Sequence, residues 1–128
     1  AWLNGCKLQA SPVSDTRSAM IEMGWSNRVP KAVFMEKIGA LLDLGAMPRS
    51  GGSGALALTD VACGRLDGYL EIVINLWDVA AALVILSEAG AKVSPFLRDG
   101  GLTGPATILA VAPGVAEAVS HATGIALD

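Results

Sequence analysis

Two carboxylates, Glu71 and Asp78, bracket the segment Ile72-Val73-Ile74-Asn75-Leu76-Trp77. The residues up to Ile72 read as a strand and those from Asp78 as a helix, so both acids lie beside a strand-to-helix junction. In α/β folds such junctions line the ligand crevice. Two carboxylates there suit a hard cation such as Mg²⁺ and the hydroxyls of a polyol. A plainer account also fits. Asn75 can be an N-cap with Asp78, three residues on, as the capping-box acid at the positive end of the helix dipole. Glu71 can be a solvated charge at a strand edge. Spacing alone favours the cap.

A second candidate is Gly51-Gly52-Ser53-Gly54, which precedes another helical stretch. Free backbone N–H groups at such a place can hold an anion or a hydroxyl. No lysine follows at Walker spacing, and the glycines do not form a dinucleotide fingerprint. A flexible turn with Ser53 as N-cap is the simpler local reading. Arg28 can reach a ligand, though a surface loop arginine is the default. Trp77 is most simply a packing anchor. His121, the single histidine, has no sequence neighbour to work with, and Asp60 and Asp67 read as structural. No Ser-His-Asp set and no cysteine-rich metal site is present.

The elements that would position these residues alternate. Asn4-Gly5 marks a hairpin turn. Strands are expected over Arg17–Met23, Gly68–Ile72, Ala91–Phe96 and Thr107–Val111, with a short strand or connector over Ala46–Arg49. Helices are expected from Pro30 to Leu44, Ala55 to Ala62, Asp78 to Ala89 and Gly114 to Thr123, with a glycine-rich loop over Leu97–Pro105. The third helix is apolar all round and should be buried on most sides. Alternation of this kind predicts an α/β fold with helices layered against a mostly parallel sheet.

Composition narrows the partners. At 128 residues the chain is one domain's worth. It is 52% hydrophobic and only 16% charged, well below the ~25% charged share of an average soluble domain. That leaves more apolar surface than one core needs, so some of it should meet a partner chain or a further part of the same protein. A net charge of −3 without a basic cluster argues against nucleic acid. Two cysteines suggest no disulfide framework, and a cytoplasmic location fits. The longest uncharged run, Gly100 to Ala116, is broken by glycines and prolines, so no membrane span and no signal peptide is expected.

With these residues in place, the chain resembles the C-terminal half of the inositol monophosphatase family. The resemblance rests on Gly52-Ser53-Gly54-Ala55-Leu56, on Gly64-Arg65-Leu66-Asp67-Gly68-Tyr69-Leu70-Glu71, on Trp77-Asp78-Val79-Ala80-Ala81 and on Glu88-Ala89-Gly90. Gly52 to Asp78 match without a gap. Trp2-Leu3-Asn4-Gly5 resembles the family's FLNG turn and Ile108-Leu109-Ala110 its late strand. The resemblance implies the C-terminal half of that family's sugar-phosphatase fold, with residues 1–10 joining the sheet of the other half. It implies a Mg²⁺-dependent phosphomonoesterase acting on inositol monophosphate or a related small polyol or sugar phosphate. Asp78 would be a metal ligand that also touches substrate. Glu71 would bind substrate hydroxyls, and Gly52, Ser53 and Gly54 would line the same pocket. Where the family has alanine this chain has Gly54, which is expected to loosen the pocket slightly.

One departure is large. The family's Glu-Glu pair and its Asp-Pro-Ile/Leu-Asp-Gly-Thr motif occur nowhere in the chain. No residue here is therefore assigned as catalytic, and the Mg²⁺ site is incomplete, because Mg²⁺ demands a full octahedral shell and dehydrates reluctantly. The expectation is a fragment that is inactive without an N-terminal half and homodimeric as the full enzyme. The absence of an initiator methionine fits that expectation. The alternative is a non-catalytic α/β module that binds a ligand or serves in assembly.

Overall fold

Alternating residues of the central strands face two different helix layers, and this alternation builds the molecule. The computed structural model describes residues 1–128. A short hairpin comes first, β1 (Trp2–Leu3) paired antiparallel with β2 (Cys6–Lys7), turning through Asn4 and Gly5, both at positive φ. The main sheet contains β3 (Met20–Met23), β4 (Met47–Arg49), β5 (Gly68–Ile74), β6 (Lys92–Val93) and β7 (Ala106–Val111). The helices are α1 (Lys31–Asp43), α2 (Gly54–Ala62), α3 (Leu76–Ala89) and α4 (Ala116–Thr123).

The strand order is β4-β3-β5-β7-β6. Leu70, Leu109, Val111, Ile21 and Met23 face one way, into a core shared with Leu41 of α1 and Val119 of α4. Tyr69, Ile108 and Ala110 face the other way, against Leu58 and Val61 of α2 and Val79 and Leu86 of α3. Both faces of the sheet are thus covered, which is why its strands read as near-continuous apolar runs.

The layered α/β architecture is as expected, but the sheet is evenly mixed rather than mostly parallel. β3 pairs in parallel with β4 and β5, while β7 runs antiparallel to both β5 and β6. The reason lies between β6 and β7. That connection carries a short irregular turn over Leu97–Gly101 and no crossover helix, and a parallel pairing needs a crossover. Two strands are also shorter than expected. Arg17 and Ser18 belong to a 3₁₀ turn, Thr16–Ser18, capped by the Asp15 side chain, and only Lys92–Val93 of 91–96 pair.

The helix α3 corrects two further expectations. It buries only the stripe Val79, Ala82, Leu86 and Ala89. Trp77 lies about 200° of helical rotation from Val79, and it is 81% exposed rather than a packing anchor. Val84 on the same helix is also exposed. The apolar surplus in the composition appears here and at Leu56, Leu102 and Trp2, all exposed. No helix is long and apolar enough to cross a membrane.

Candidate functional site

The parallel run β4-β3-β5 sets the C-terminal ends of three strands side by side. Their following segments, from Gly24, Ser50 and Asn75, therefore converge at one edge of the sheet. There they enclose a cavity of about 430 Å³ lined by residues that include Glu22, Gly24, Trp25, Arg28, Ser50, Gly52, Ser53, Gly54, Tyr69, Glu71 and Asp78. The structure thus brings together Gly52, Ser53, Gly54, Glu71 and Asp78. Asp60, Asp67 and His121 lie elsewhere. Asp60 pairs with Arg65 at 3.2 Å. Asp67 accepts from the Met20 N–H at 2.7 Å and fixes the start of β3.

Asp78 stands three residues beyond Asn75, which has N-cap backbone geometry, but no side-chain hydrogen bond closes the cap. The capping box suggested by the spacing does not form, and the Asp78 carboxylate faces the cavity. Ser53 behaves as the local reading expects, its hydroxyl accepting from the Leu56 N–H at 3.3 Å to cap α2.

Glu71 is half-buried and held from below. The phenol of Tyr69 donates to its Oε2 at 2.5 Å. Period-two alternation puts both residues on the α2 side of β5, and the β5–β7 register shifts between Glu71 and Ile74. Burial pushes the Tyr69 phenol far above its ordinary range, reinforced by its bond to Glu71 and by the charges of Glu71, Glu22 and Asp78. Tyr69 therefore stays protonated and remains a donor. Burial also raises the Glu71 carboxyl. The Tyr69 hydrogen bond opposes this, Asp78 adds to it and Arg28 offsets part of it. Arg28 itself is exposed, anchored by Nη2 on the Val73 carbonyl and Nε on Ser26 Oγ, each at 3.0 Å.

Gly54 does not loosen the pocket. A Cβ there would lie 2.7 Å from Ile74 Cδ1 and 2.9 Å from Tyr69 Oη, so these side chains already occupy the space of the missing methyl.

Because folding raises the Glu71 pKa, its proton is held more tightly in the native state than in the unfolded chain. The stabilising contribution is present in acid and is lost as pH rises from the ordinary value of 4.5 through the raised native one. Glu71→Gln, which keeps an acceptor for Tyr69, is therefore expected to melt higher than wild type at pH 7, with the gap closing toward pH ~4. Thermal melts across that range check this, and a lower melting point at pH 7 would contradict it.

Sequence reasoning passed over Glu22, Tyr69 and Trp25. Glu22 is 3% exposed. Its carboxylate meets Arg49 Nε and the Gly51 N–H, each at 3.0 Å. Its only local signal was a charge inside the apolar strand Met20-Ile21-Glu22-Met23. Trp25 is exposed and braced edge-on by Phe34, ring centroids 5.0 Å apart.

The fold is a helix-sheet-helix layer with an acid-lined cavity at the carboxyl ends of parallel strands. The model of the inositol monophosphatase family matches residues 1–126, and the chain belongs to that family. It is 36% identical over 113 residues to an inositol-1-monophosphatase of Mycobacterium leprae, covering 88% of this chain and 39% of that protein. It is 33% identical over 121 residues to the Nus factor SuhB of Escherichia coli, covering 93% of this chain and 45% of that one. Among solved structures, the inositol monophosphatase of Anabaena superposes with a TM-score of 0.77 at 31% identity, covering 96% of this chain and 50% of that one. The chain spans half or less of the length of each of these relatives.

Proposed function

We propose that this chain forms the substrate-side half of a Mg²⁺-dependent phosphomonoesterase acting on inositol monophosphate or a related small polyol or sugar phosphate. The observation that carries the reading is the meeting of Gly52–Gly54, Glu71 and Asp78 around one cavity in a member of this family. Glu71, fixed by Tyr69, accepts a substrate hydroxyl. Asp78 supplies a metal ligand and a second acceptor. The Gly52–Gly54 backbone forms the wall facing them.

The donor set fits a share of a magnesium site and not a whole one. Asp78 offers the hard oxygen that Mg²⁺ prefers, yet no three histidine, cysteine, aspartate or glutamate side chains converge closely enough to hold a metal ion. When bound, the metal would neutralise phosphate charge and activate a water. The remaining ligands come from a second polypeptide segment, whose sheet the β1–β2 hairpin joins. The assembled enzyme is cytoplasmic and homodimeric, and no residue of this chain serves as general acid or base. The exposed apolar flank of α3 favours a second reading, a non-catalytic assembly module.

One assay separates them. Phosphate release from inositol 1-phosphate with MgCl₂ is measured for the chain alone and for the chain mixed with the part of the M. leprae enzyme that it does not cover. Release only in the mixture is expected, and release in neither favours the assembly module.

A further inference from the structure

The β3–β4 register places Glu22 directly opposite Arg49, the last residue of a three-residue edge strand. The next residues form the glycine loop that walls the cavity. So short an edge strand cannot by itself fix where the loop goes. A buried carboxylate supplies what is missing. One side chain takes Arg49 Nε through Oε2 and the Gly51 N–H through Oε1. It thereby ties the strand end and the loop start to the central strand β3. The fit is close on both sides. A Cβ on Gly51 would lie 2.6 Å from Glu22 Oε1 and 2.9 Å from Oε2, so any side chain there would push the carboxylate off its seat. Burying a carboxylate this completely is unfavourable unless its partners are in place, and both partners lie at the loop's root.

We infer that Glu22 is a positioning residue whose clamp on Arg49 and Gly51 sets the Gly52–Gly54 wall at the distance from Glu71 and Asp78 that a phosphorylated polyol requires. Glu22 need not touch the ligand to do this. The inference rests on the proposed reading of the cavity, and the two can fail separately.

The test titrates the full chain with inositol 1-phosphate in MgCl₂ and follows its backbone amides by NMR. In wild type, the amides of Gly52–Gly54 and of Asp78 are expected to shift together. Glu22→Ala leaves the Gly51 N–H without its partner. It is expected to weaken binding about tenfold, with the loop amides no longer responding while Asp78 still does. Glu22→Gln keeps an acceptor for Gly51 and is expected to restore most of the binding, which a general packing defect would not show. Gly51→Ala breaks the same seat from the other side, so the double variant should bind no worse than either single one. Wild-type binding by Glu22→Ala, or losses that simply add, overturns the inference. Should Glu22→Ala not fold, Gly51→Ala alone decides, and unchanged binding by it overturns the inference. Asp78→Asn is the control for the site. If it weakens binding while the Glu22 and Gly51 variants do not, only the positioning role falls. If wild type shows no shifts, the reading of the cavity falls and the inference with it.

Discussion

Asp78→Asn in the reconstituted enzyme is expected to lower phosphate release by about 100-fold or more while leaving the chain folded. A metal that neutralises transferring phosphate contributes several kcal/mol to the transition state, and each ~1.4 kcal/mol is a factor of ten in rate. Replacing one hard anionic ligand by an amide removes a large part of that. The structural cost is small. Asp78 is in the first turn of α3 but closes no side-chain cap, so the variant forgoes only the helix-dipole interaction, about 0.3–1 kcal/mol. The two roles weighed from the sequence therefore separate. A capping residue would show full turnover and a lower melting point. A metal ligand shows the reverse, and weaker Mg²⁺ binding by calorimetry should accompany the lost turnover. Full turnover in the variant would return Asp78 to the plainer account.

The stretch from Gly52 to Asp78 was legible in the sequence because glycines and apolar runs mark its strand and helices, although β5 runs on to Ile74 and α3 already begins at Leu76 rather than Asp78. The capping alternative was also visible there, and the side-chain bond it calls for at Asn75 is missing. Other features were not legible, each for a physical reason. Arg49, the partner of Glu22, lies 27 positions away, and a window along the chain cannot see a parallel pairing across two strands. The apolar circumference of α3 looked buried because composition does not say how many faces a neighbour covers. Here the sheet side covers one face, leaving Trp77 and Val84 exposed. The direction of β7 could have been anticipated. A glycine-rich connection with no helix, such as 97–105, favours a hairpin-like return over a parallel crossover.

Gly24→Ala tests how tightly the acidic corner is built, and it is expected to damage both stability and ligand binding. A Cβ at Gly24 would lie 2.5 Å from Glu71 Cδ and closer still to Glu71 Oε2 and Tyr69 Oη. The backbone cannot retreat, because the Gly24 N–H donates to the Leu70 carbonyl at 2.9 Å and continues the β3–β5 ladder. Tyr69 cannot yield easily either, since its ring is buried in the core against α2 and α3. The Tyr69–Glu71 bond must therefore open. Overpacking costs about 1–3 kcal/mol and the lost hydrogen bond about 1 more, a large share of the 5–15 kcal/mol typical of a whole domain. Gly39→Ala in α1, where a methyl meets open space, is the control and should gain ~0.5–1 kcal/mol. Tyr69→Phe removes the hydrogen bond without the clash, so it should match Gly24→Ala in weakened inositol 1-phosphate binding but lose less stability. Equal melting points for Gly24→Ala and Gly39→Ala would mean that Glu71 has a second resting place, and that its carboxylate is not fixed toward the cavity by Tyr69.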